Sequence, residues 1–459
     1  MILLLAAACT QEPPPTEDEP APAPIVVLWT LDTLGSTAAR GTDWCGRIGE
    51  LLAPYELSVA CTDGISPSSW TGESHTRVMW PEHQVGDLLG YEAPDCGTDS
   101  VLGALGRGLG ARVSFAADNG LLRSPTVTCG GQPSWYQDAD DVFLAADDQH
   151  TNFALVPEEE RPVAHAIDEF VARVGDGEPE VVFLNSLEVG GHFPRCWFAP
   201  DTEACVGLWR VAREGHLVGS GSDPTRFWLS EGFKDALLGY IASERIDDRE
   251  RIGQWMWDSM QESIEYQRGP RFEDRLVRVL DAAQAAGRLD DLVLVMWGDH
   301  GETPCEQRPV GDKHLLCVHG ALPNEFTANV PLFVSPPEVL DAWEARGFTS
   351  RTRPFSMGNL SRALVDTFDL DAPRSWPAIE PVGAATSITC RRQSEDTWDG
   401  PAASVVRVID DQALRCQGDD CVATTWQIPD GPAQVYTVLP DEPSAFASFD
   451  RGVALSECQ

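Results

Sequence analysis

Basic residues are scarce in this chain. Lysine and arginine total 33 against 72 aspartate and glutamate residues, which gives a formal net charge of −39. Nucleic-acid binding depends on basic side chains that neutralise phosphates, and anionic lipid headgroups attract the same side chains. The composition therefore argues against a nucleic-acid partner and against direct docking on an anionic membrane surface. We interpret the acidic excess as a contribution to solubility.

A hydrophobic run long enough to cross a bilayer is also missing from the N-terminus. The apolar stretch MILLLAAAC ends at Cys9 and is too short to span a membrane. The three alanines before Cys9 resemble the end of a bacterial lipoprotein signal, and an ordinary secretory signal is the alternative. Residues 10–24 are rich in proline and acid and predict a flexible tether. We expect an exported lipoprotein of the periplasm, outer membrane or cell surface, with a lipid on Cys9 as its only membrane contact.

The paired CxxC spacing of structural zinc sites does not occur. The chain has 13 cysteines, and setting Cys9 aside leaves an even number. Close pairs beside loop-like residues favour local disulfides in an oxidising compartment, although their connectivity does not follow from sequence. The close pairs are Cys196 with Cys205, Cys305 with Cys317, and Cys416 with Cys421.

Internal repeats are absent, and the chain instead alternates buried strands with helices. Strand-like apolar runs occupy 24–35, 180–188, 291–302 and 329–336, and a helical period occupies 271–287. This alternation predicts an α/β fold with a mostly parallel central sheet flanked by helices. From about residue 376, short strand-like runs separated by turn residues predict a small antiparallel subdomain. We therefore expect one main domain over 25–375, a C-terminal subdomain over 376–459, and an insertion over 196–260.

Carboxylates and imidazoles follow the predicted strands. Asp32 follows the first strand, Asp299 and His300 follow the third, and His319 belongs to a further motif of this kind, VHG. Each alone has an ordinary explanation, because aspartate caps helices and Asp-His-Gly is a common turn composition. Several such groups on successive strand ends favour a divalent metal site instead, for Mg, Mn, Ca or Zn.

The stretch SSWTGESH, residues 68–75, places Thr71 at a predicted helix start. A hydroxyl there lies in positive potential beside free backbone N–H groups, which suits an attacking alkoxide and binds tetrahedral anions. The simpler interpretation is that Thr71 is only an N-cap, a position that threonine prefers for helix stability alone.

The order of these motifs resembles the sulfatase family of the alkaline phosphatase superfamily. The resemblance covers roughly residues 25–375, with a further closing segment in the tail. It rests on VVLWTLDTLG (26–35), SSWTGESH, FLNSLEVGGHFP (183–194), VMWGDHGE (295–302), VHGALPNEFTANVPLFVSPP (318–337) and QVYTVLPDEPSAFAS (434–448).

The resemblance implies a sulfatase-like α/β sandwich and assigns roles to particular residues. Asp32, Thr71, Asp299 and His300 correspond to metal ligands, with Thr71 also the nucleophile. By the same resemblance, contacts to the oxygens or leaving group of the substrate are implied for the following residues: His192, His319 and Lys313.

Two departures from the family pattern change the expected chemistry. The nucleophile position holds threonine, and Glu73 and His75 replace the proline and arginine of the formylglycine motif, so the formylglycine route is closed. Thr33 replaces a second aspartate of the usual calcium site. The resemblance then implies a metal-dependent hydrolase or transferase that cleaves anionic phosphate or sulfate esters through Thr71. The alternative is a catalytically inactive envelope binding module, which Glu73 suggests because an acid beside the nucleophile should repel an anionic substrate.

Overall fold

The computed structural model describes residues 23–69, 71–81, 99–119, 122, 128–129, 132–133, 136–144, 157–187, 203–214, 246–303, 306–307, 315–316, 323–353, 355–390, 403–417, 420–431, 437–440, 442–447 and 449. The proposed signal and most of the tether therefore lie outside the described residues.

The described strands and helices follow one another in the order expected of an α/β protein. The strands are β1 (Ile25–Leu31), β2 (Ala60–Ile65), β3 (Arg112–Ala117), β4 (Thr128–Cys129), β5 (Gln132–Pro133), β6 (Asp141–Leu144), β7 (Glu180–Ser186), β8 (Leu292–Gly298), β9 (Glu306–Gln307), β10 (Leu315–Leu316), β11 (Asn329–Ser335), β12 (Phe355–Ser356), β13 (Ala384–Cys390), β14 (Ala403–Ile409), β15 (Gln412–Gln417) and β16 (Asp420–Thr425). The α-helices are α1 (Ser36–Gly41), α2 (Trp44–Leu52), α3 (Thr71–Met79), α4 (Val101–Leu109), α5 (Pro162–Arg173), α6 (Glu203–Glu214), α7 (Ile246–Arg268), α8 (Asp274–Ala285), α9 (Glu325–Ala328), α10 (Pro337–Ala345) and α11 (Leu360–Thr367).

An eight-stranded sheet forms the centre of the molecule, in the order β12-β2-β11-β8-β1-β7-β3-β6. Strand β1 pairs in parallel with both β7 and β8, and β11 is antiparallel to both of its neighbours. The remaining pairs, β3 with β7, β3 with β6 and β12 with β2, are parallel. The mostly parallel sheet predicted from the sequence is therefore confirmed, including all four of the buried strands.

Both faces of this sheet are covered, which explains why β1 is buried along its whole length. Successive side chains of a strand point to opposite faces. Val27 and Trp29 accordingly pack in one apolar cluster with helices α2, α5 and α8, whereas Val26 and Leu28 pack in another with α4, α10 and α11. The result is a three-layer sandwich with a core on each side of the sheet.

The helix expected over 271–287 is α8, preceded by a π-helical turn at Gly269–Glu273. Its predicted apolar face is buried, through Leu276, Val279, Leu280 and Ala283. Gly287 has a positive φ of 68° and ends the helix, as predicted. Of the predicted insertion over 196–260, the structure describes α6 and the first part of α7, which contact each other.

The predicted antiparallel tail is also confirmed. Strands β13, β14, β15 and β16 pair in sequence as a four-stranded antiparallel sheet, hereafter the C-terminal sheet. It has its own small apolar cluster, which includes Ile388, Val405 and Leu414. A second cluster joins Val406 and Val408 to Ile65 and Ala328 of the central part, so the C-terminal sheet packs directly on the main sandwich.

Two disulfides join neighbouring elements of the described chain. Cys416–Cys421 closes the hairpin between β15 and β16, as the close sequence spacing predicted. Cys45–Cys61 ties α2 to β2, a pair that the spacing did not single out. The other two predicted pairs, at 196/205 and 305/317, lie outside the residues whose side chains are described. Within the described part of the chain, no helix combines the length and apolar character needed to cross a bilayer.

Candidate active site

The carboxyl ends of the parallel strands bring the predicted metal ligands together. Asp32 directly follows β1, and Asp299 and His300 directly follow the neighbouring strand β8. One ligand atom from each of these three side chains lies within 4.8 Å of the other two. All three are buried, with no more than 1% of each residue exposed. Residues 267 positions apart therefore form one compact cluster because adjacent parallel strands end at the same sheet edge.

Thr71 joins this cluster as the first residue of α3. Its Oγ1 lies 2.9 Å from Nε2 of His300. The other ring nitrogen of His300, Nδ1, is 3.0 Å from the carbonyl oxygen of Gly301. A carbonyl only accepts hydrogen bonds, so Nδ1 carries the proton and Nε2 presents its lone pair to Thr71 and the carboxylates. That tautomer is the one that leaves Nε2 able to bind a metal.

The electrostatics of the cluster suit a bound cation. Burial, together with the charge of Asp299, raises the pKa of Asp32 to about 8, and burial raises the pKa of Asp299 to about 7. Oδ2 of Asp299 is buried with no hydrogen-bond partner among the described residues, and His300 Nε2 lies 3.7 Å away. Two buried carboxylates, an imidazole lone pair and a hydroxyl are ligand types that divalent cations bind. The residues present therefore fit a divalent metal.

Asn119 supports this cluster and was missed in the sequence. It follows β3, and its side-chain Nδ2 donates a hydrogen bond to Oδ2 of Asp32. Its backbone N–H is 3.3 Å from Oδ1 of Asn185 on β7. The available signal was positional, because Asp118 and Asn119 follow a buried strand in the same way as Asp32 does.

Thr33 is a second support of the cluster. In the sequence, Thr33 is notable only because it replaces an acid of the family pattern. Its backbone N–H donates to Oδ1 of Asp299 at 2.9 Å. It does so with a positive φ of 59°, a conformation that is uncommon for a β-branched residue. Strain of this kind persists only where the surrounding structure requires it.

Two serine hydroxyls fix α3 against the end of β8. Ser66 and Ser74 both donate to the main-chain carbonyl of Asp299, at 2.5 and 2.7 Å. The acceptor of the Ser74 hydroxyl lies 225 residues away in the sequence and belongs to a candidate metal ligand.

His75 faces into the protein as a neutral structural residue. Its Nδ1 is 2.8 Å from the carbonyl oxygen of Thr71, and its Nε2 is 3.0 Å from Oγ1 of Thr30. Burial lowers its pKa to about 4. Both ring nitrogens are engaged, so the side chain holds the first turn of α3 in place.

The residues that the resemblance predicts to contact the substrate are His192, His319 and Lys313. All three lie outside the described residues, and their roles stay predictions.

The sequence matches no protein-family model and no curated protein. The fold, however, matches solved structures over nearly the whole chain. A protein bound to its substrate D-glucosamine-2-N,6-O-disulfate aligns with a TM-score of 0.54 and 11% identity, covering 88% of this chain and 91% of that one.

Two further structures show the range of the matches. The phosphonate monoester hydrolase of Agrobacterium radiobacter aligns with a TM-score of 0.50 and 13% identity, covering 94% of each chain. A 2-O GAG sulfatase aligns with a TM-score of 0.49 and 11% identity, covering 88% of this chain and 85% of that one. The chain therefore shares the fold of the disulfated-glucosamine complex and of the phosphonate monoester hydrolase. The resemblance drawn from the motifs is confirmed at the level of the fold.

Proposed function

We propose that this protein is a metal-dependent hydrolase or transferase that cleaves phosphate or sulfate esters through Thr71. One observation carries the proposal. Asp32, Asp299 and His300 place their ligand atoms within 4.8 Å of one another, and the Thr71 hydroxyl contacts the lone-pair nitrogen of His300. If Thr71 only capped its helix, it would need no contact with His300 or the two carboxylates. That simpler interpretation therefore leaves the cluster unexplained.

Asp32, Asp299 and His300 would hold the cation with Thr71 beside it. A bound divalent cation would lower the pKa of the Thr71 hydroxyl and polarise an ester oxygen. The first-turn N–H groups of α3 lack helical acceptors and carry the positive end of the helix dipole, so they favour a tetrahedral anion beside Thr71.

The reaction has two displacement steps at phosphorus or sulfur. Thr71 Oγ1 loses its proton and forms a bond to that atom, and the bond to the ester oxygen breaks, so that the alcohol leaves with the bonding electron pair and takes up a proton from solvent. Water or an acceptor alcohol then attacks the same atom, the bond to Thr71 Oγ1 breaks, and the proton of the attacking group passes through solvent to Thr71 Oγ1. Asn119 holds Asp32 and His75 holds the first turn of α3 throughout.

The position of Glu73 bears on the alternative of an inactive binding module. Its carboxylate is buried and accepts a hydrogen bond of 2.6 Å from Oγ of Ser68, in the loop before α3. This contact gives Glu73 a structural task, which weakens the argument that it is there to repel an anionic substrate.

We also propose that the protein is exported. The disulfides Cys45–Cys61 and Cys416–Cys421 fit an oxidising compartment. The lipid anchor on Cys9, the tether over 10–24 and the domain boundary near residue 376 are parts of the same proposal.

The test is an ester panel assayed with and without divalent metals. Aryl sulfate, aryl phosphate, bis-aryl phosphate and a phosphonate monoester cover the substrate classes that the proposal and the structural neighbours suggest. We expect at least one ester to be turned over, with loss on chelation, recovery on metal addition, and loss in Thr71→Ala. Protein that is purified metal-free and stays silent across the panel would instead support the binding module.

A further inference from the structure

We propose that Thr389, on the C-terminal sheet, is a positioning residue for the nucleophile. This inference rests on the proposed role of Thr71, from which Thr389 is separated by 318 residues in sequence. Thr389 lies on β13 and is 3% exposed. Its contacts are with the short loop that leads from β2 to the start of α3, residues 66–69, hereafter the nucleophile loop.

The contacts between Thr389 and the nucleophile loop are specific. Oγ1 of Thr389 accepts the backbone N–H of Ser69 at 3.3 Å and lies 2.8 Å from the hydroxyl of Ser69. The hydroxyl of Ser68 is 3.5 Å away. The preceding residue of β13, Ile388, donates its N–H to the carbonyl of Pro67 at 2.8 Å. The strand therefore binds the loop through main chain and side chain together.

The nucleophile loop passes this restraint on to α3. Ser68 donates its hydroxyl to Glu73, which lies in the first turn of α3. The Ser66 hydroxyl lies 2.7 Å from the carbonyl oxygen of Ser68 and 2.5 Å from that of Asp299, so its single proton is shared between the two carbonyls. The loop is thus connected to the C-terminal sheet on one side, and to α3 and the end of β8 on the other. Thr71 begins the helix that these contacts hold.

Burial makes the Thr389 hydroxyl hard to replace. Ser68 and Ser69 are fully buried, at 0% exposure, so water is excluded from their polar groups. A hydroxyl can accept the Ser69 N–H and still share a hydrogen bond with the Ser69 hydroxyl. A valine of similar shape can do neither, and a buried N–H that loses its acceptor is destabilised where it lies. The loop is then expected to shift, and α3 with it.

A second contact shows that the C-terminal sheet supports both halves of the site. The buried guanidinium of Arg415, on β15, pairs with the buried carboxylate of Glu325, the first residue of α9. In the same helix, the carbonyl of Thr327 accepts the N–H of Gly301 at 2.8 Å, next to His300. The C-terminal sheet therefore contacts the segment that leads to Thr71 and the segment beside a candidate metal ligand.

The experiment compares three variants of the full-length protein. Thr389→Val removes the hydroxyl and keeps the shape, and Thr389→Ser restores the hydroxyl. Thr386→Val is the matched control. It makes the same change on the same strand, but the Thr386 hydroxyl contacts Glu380 and Arg407 rather than the nucleophile loop. The readouts are kcat, KM, metal affinity, and hydrogen–deuterium exchange of the peptide spanning 66–79.

We expect Thr389→Val to lower kcat roughly ten- to a hundredfold, because a displacement of about 1 Å at a reacting group has that effect. Metal affinity should change less than about twofold, since Asp32, Asp299 and His300 are untouched. Exchange across 66–79 should become faster. Thr389→Ser should restore both values, and Thr386→Val should resemble the wild type.

The inference is overturned if Thr389→Val leaves exchange across 66–79 unchanged, or if Thr386→Val accelerates it to the same extent. Exchange does not depend on the reaction, so it decides whether Thr389 restrains the segment even if the proposed function is wrong. A failure of the proposed function shows itself separately, as wild-type activity in Thr71→Ala.

Discussion

Replacing Asn119 with alanine should weaken the binding of a divalent metal. The amide of Asn119 donates to Oδ2 of Asp32, so it fixes the orientation of a candidate ligand that is 1% exposed. Without that donor the carboxylate is free to rotate, and one of its oxygens is left buried without its partner. Asn119 also opposes the effect of burial on Asp32, because its hydrogen bond lowers the pKa of that carboxyl.

The size of the loss in metal affinity follows from the role of Asn119, which hydrogen-bonds the candidate ligand Asp32 and does not bind the metal itself. Loss of a hydrogen bond to a metal ligand usually lowers metal affinity by about 10- to 100-fold. Each tenfold step corresponds to about 1.4 kcal/mol, so the expected loss is about 1.4–2.8 kcal/mol. The loss of metal affinity should be larger near pH 6 than near pH 8. Without its donor, the Asp32 carboxylate binds protons more tightly, and the metal must displace them. Isothermal titration calorimetry of chelator-treated protein with Mn²⁺ or Zn²⁺ measures the metal affinity at both pH values.

Asn359→Ala is the control for nonspecific damage. Asn359 is equally buried and makes two hydrogen bonds with the main chain of Glu380, both at 2.9 Å, and neither bond involves Asp32, Asp299 or His300. It should bind metal as the wild type does. The reasoning is refuted if Asn119→Ala binds metal within about twofold of the wild type, or if Asn359→Ala loses affinity to the same extent.

Two further predictions concern protons and cross-links. Metal binding near pH 6 should release more than one proton, and clearly fewer near pH 9, because the pKa of Asp32 is raised to about 8 and that of Asp299 to about 7. Titration in buffers of different ionisation enthalpy measures the release, and metal uptake without protons at the lower pH would contradict it. Replacing Cys45 and Cys61 with alanine opens a loop of 16 residues and should lower the free energy of unfolding by about 3 kcal/mol. Opening Cys416–Cys421, with a separation of 5, should cost about 2 kcal/mol, and urea denaturation that ranks the two pairs in the opposite order would contradict the loop-length argument.

The sequence predicts that Asp32, Asp299 and His300 lie close together because parallel strands end at one edge of the sheet. Asp32, Asp299 and His300 each follow a buried apolar run, and a parallel sheet brings such positions together whatever their separation along the chain. Thr71 is predictable for a similar reason, since a helix start next to that edge is recognisable from its residues. The four main strands and the antiparallel tail follow from hydrophobic patterning in the same way.

The supporting residues could not be predicted from the sequence, because their hydrogen-bond and disulfide partners are remote along the chain. Asn119 carries no local mark of its hydrogen bond to Asp32. The sequence around Thr389 indicates only a strand position. Its role depends on the packing of the C-terminal sheet against the nucleophile loop. Cys45 finds Cys61 through the packing of α2 on the sheet, which no spacing rule encodes. These contacts depend on how elements pack, whereas the positions of the candidate metal ligands depend only on where strands end.

The most direct test of the central claim measures metal content and turnover together in Thr71→Ala. We expect the variant to keep bound metal, since Asp32, Asp299 and His300 remain, and to lose turnover of every ester that the wild type cleaves. Asp299→Asn should lose both. Normal turnover in Thr71→Ala, with metal bound as in the wild type, would contradict the assignment of Thr71 as the nucleophile.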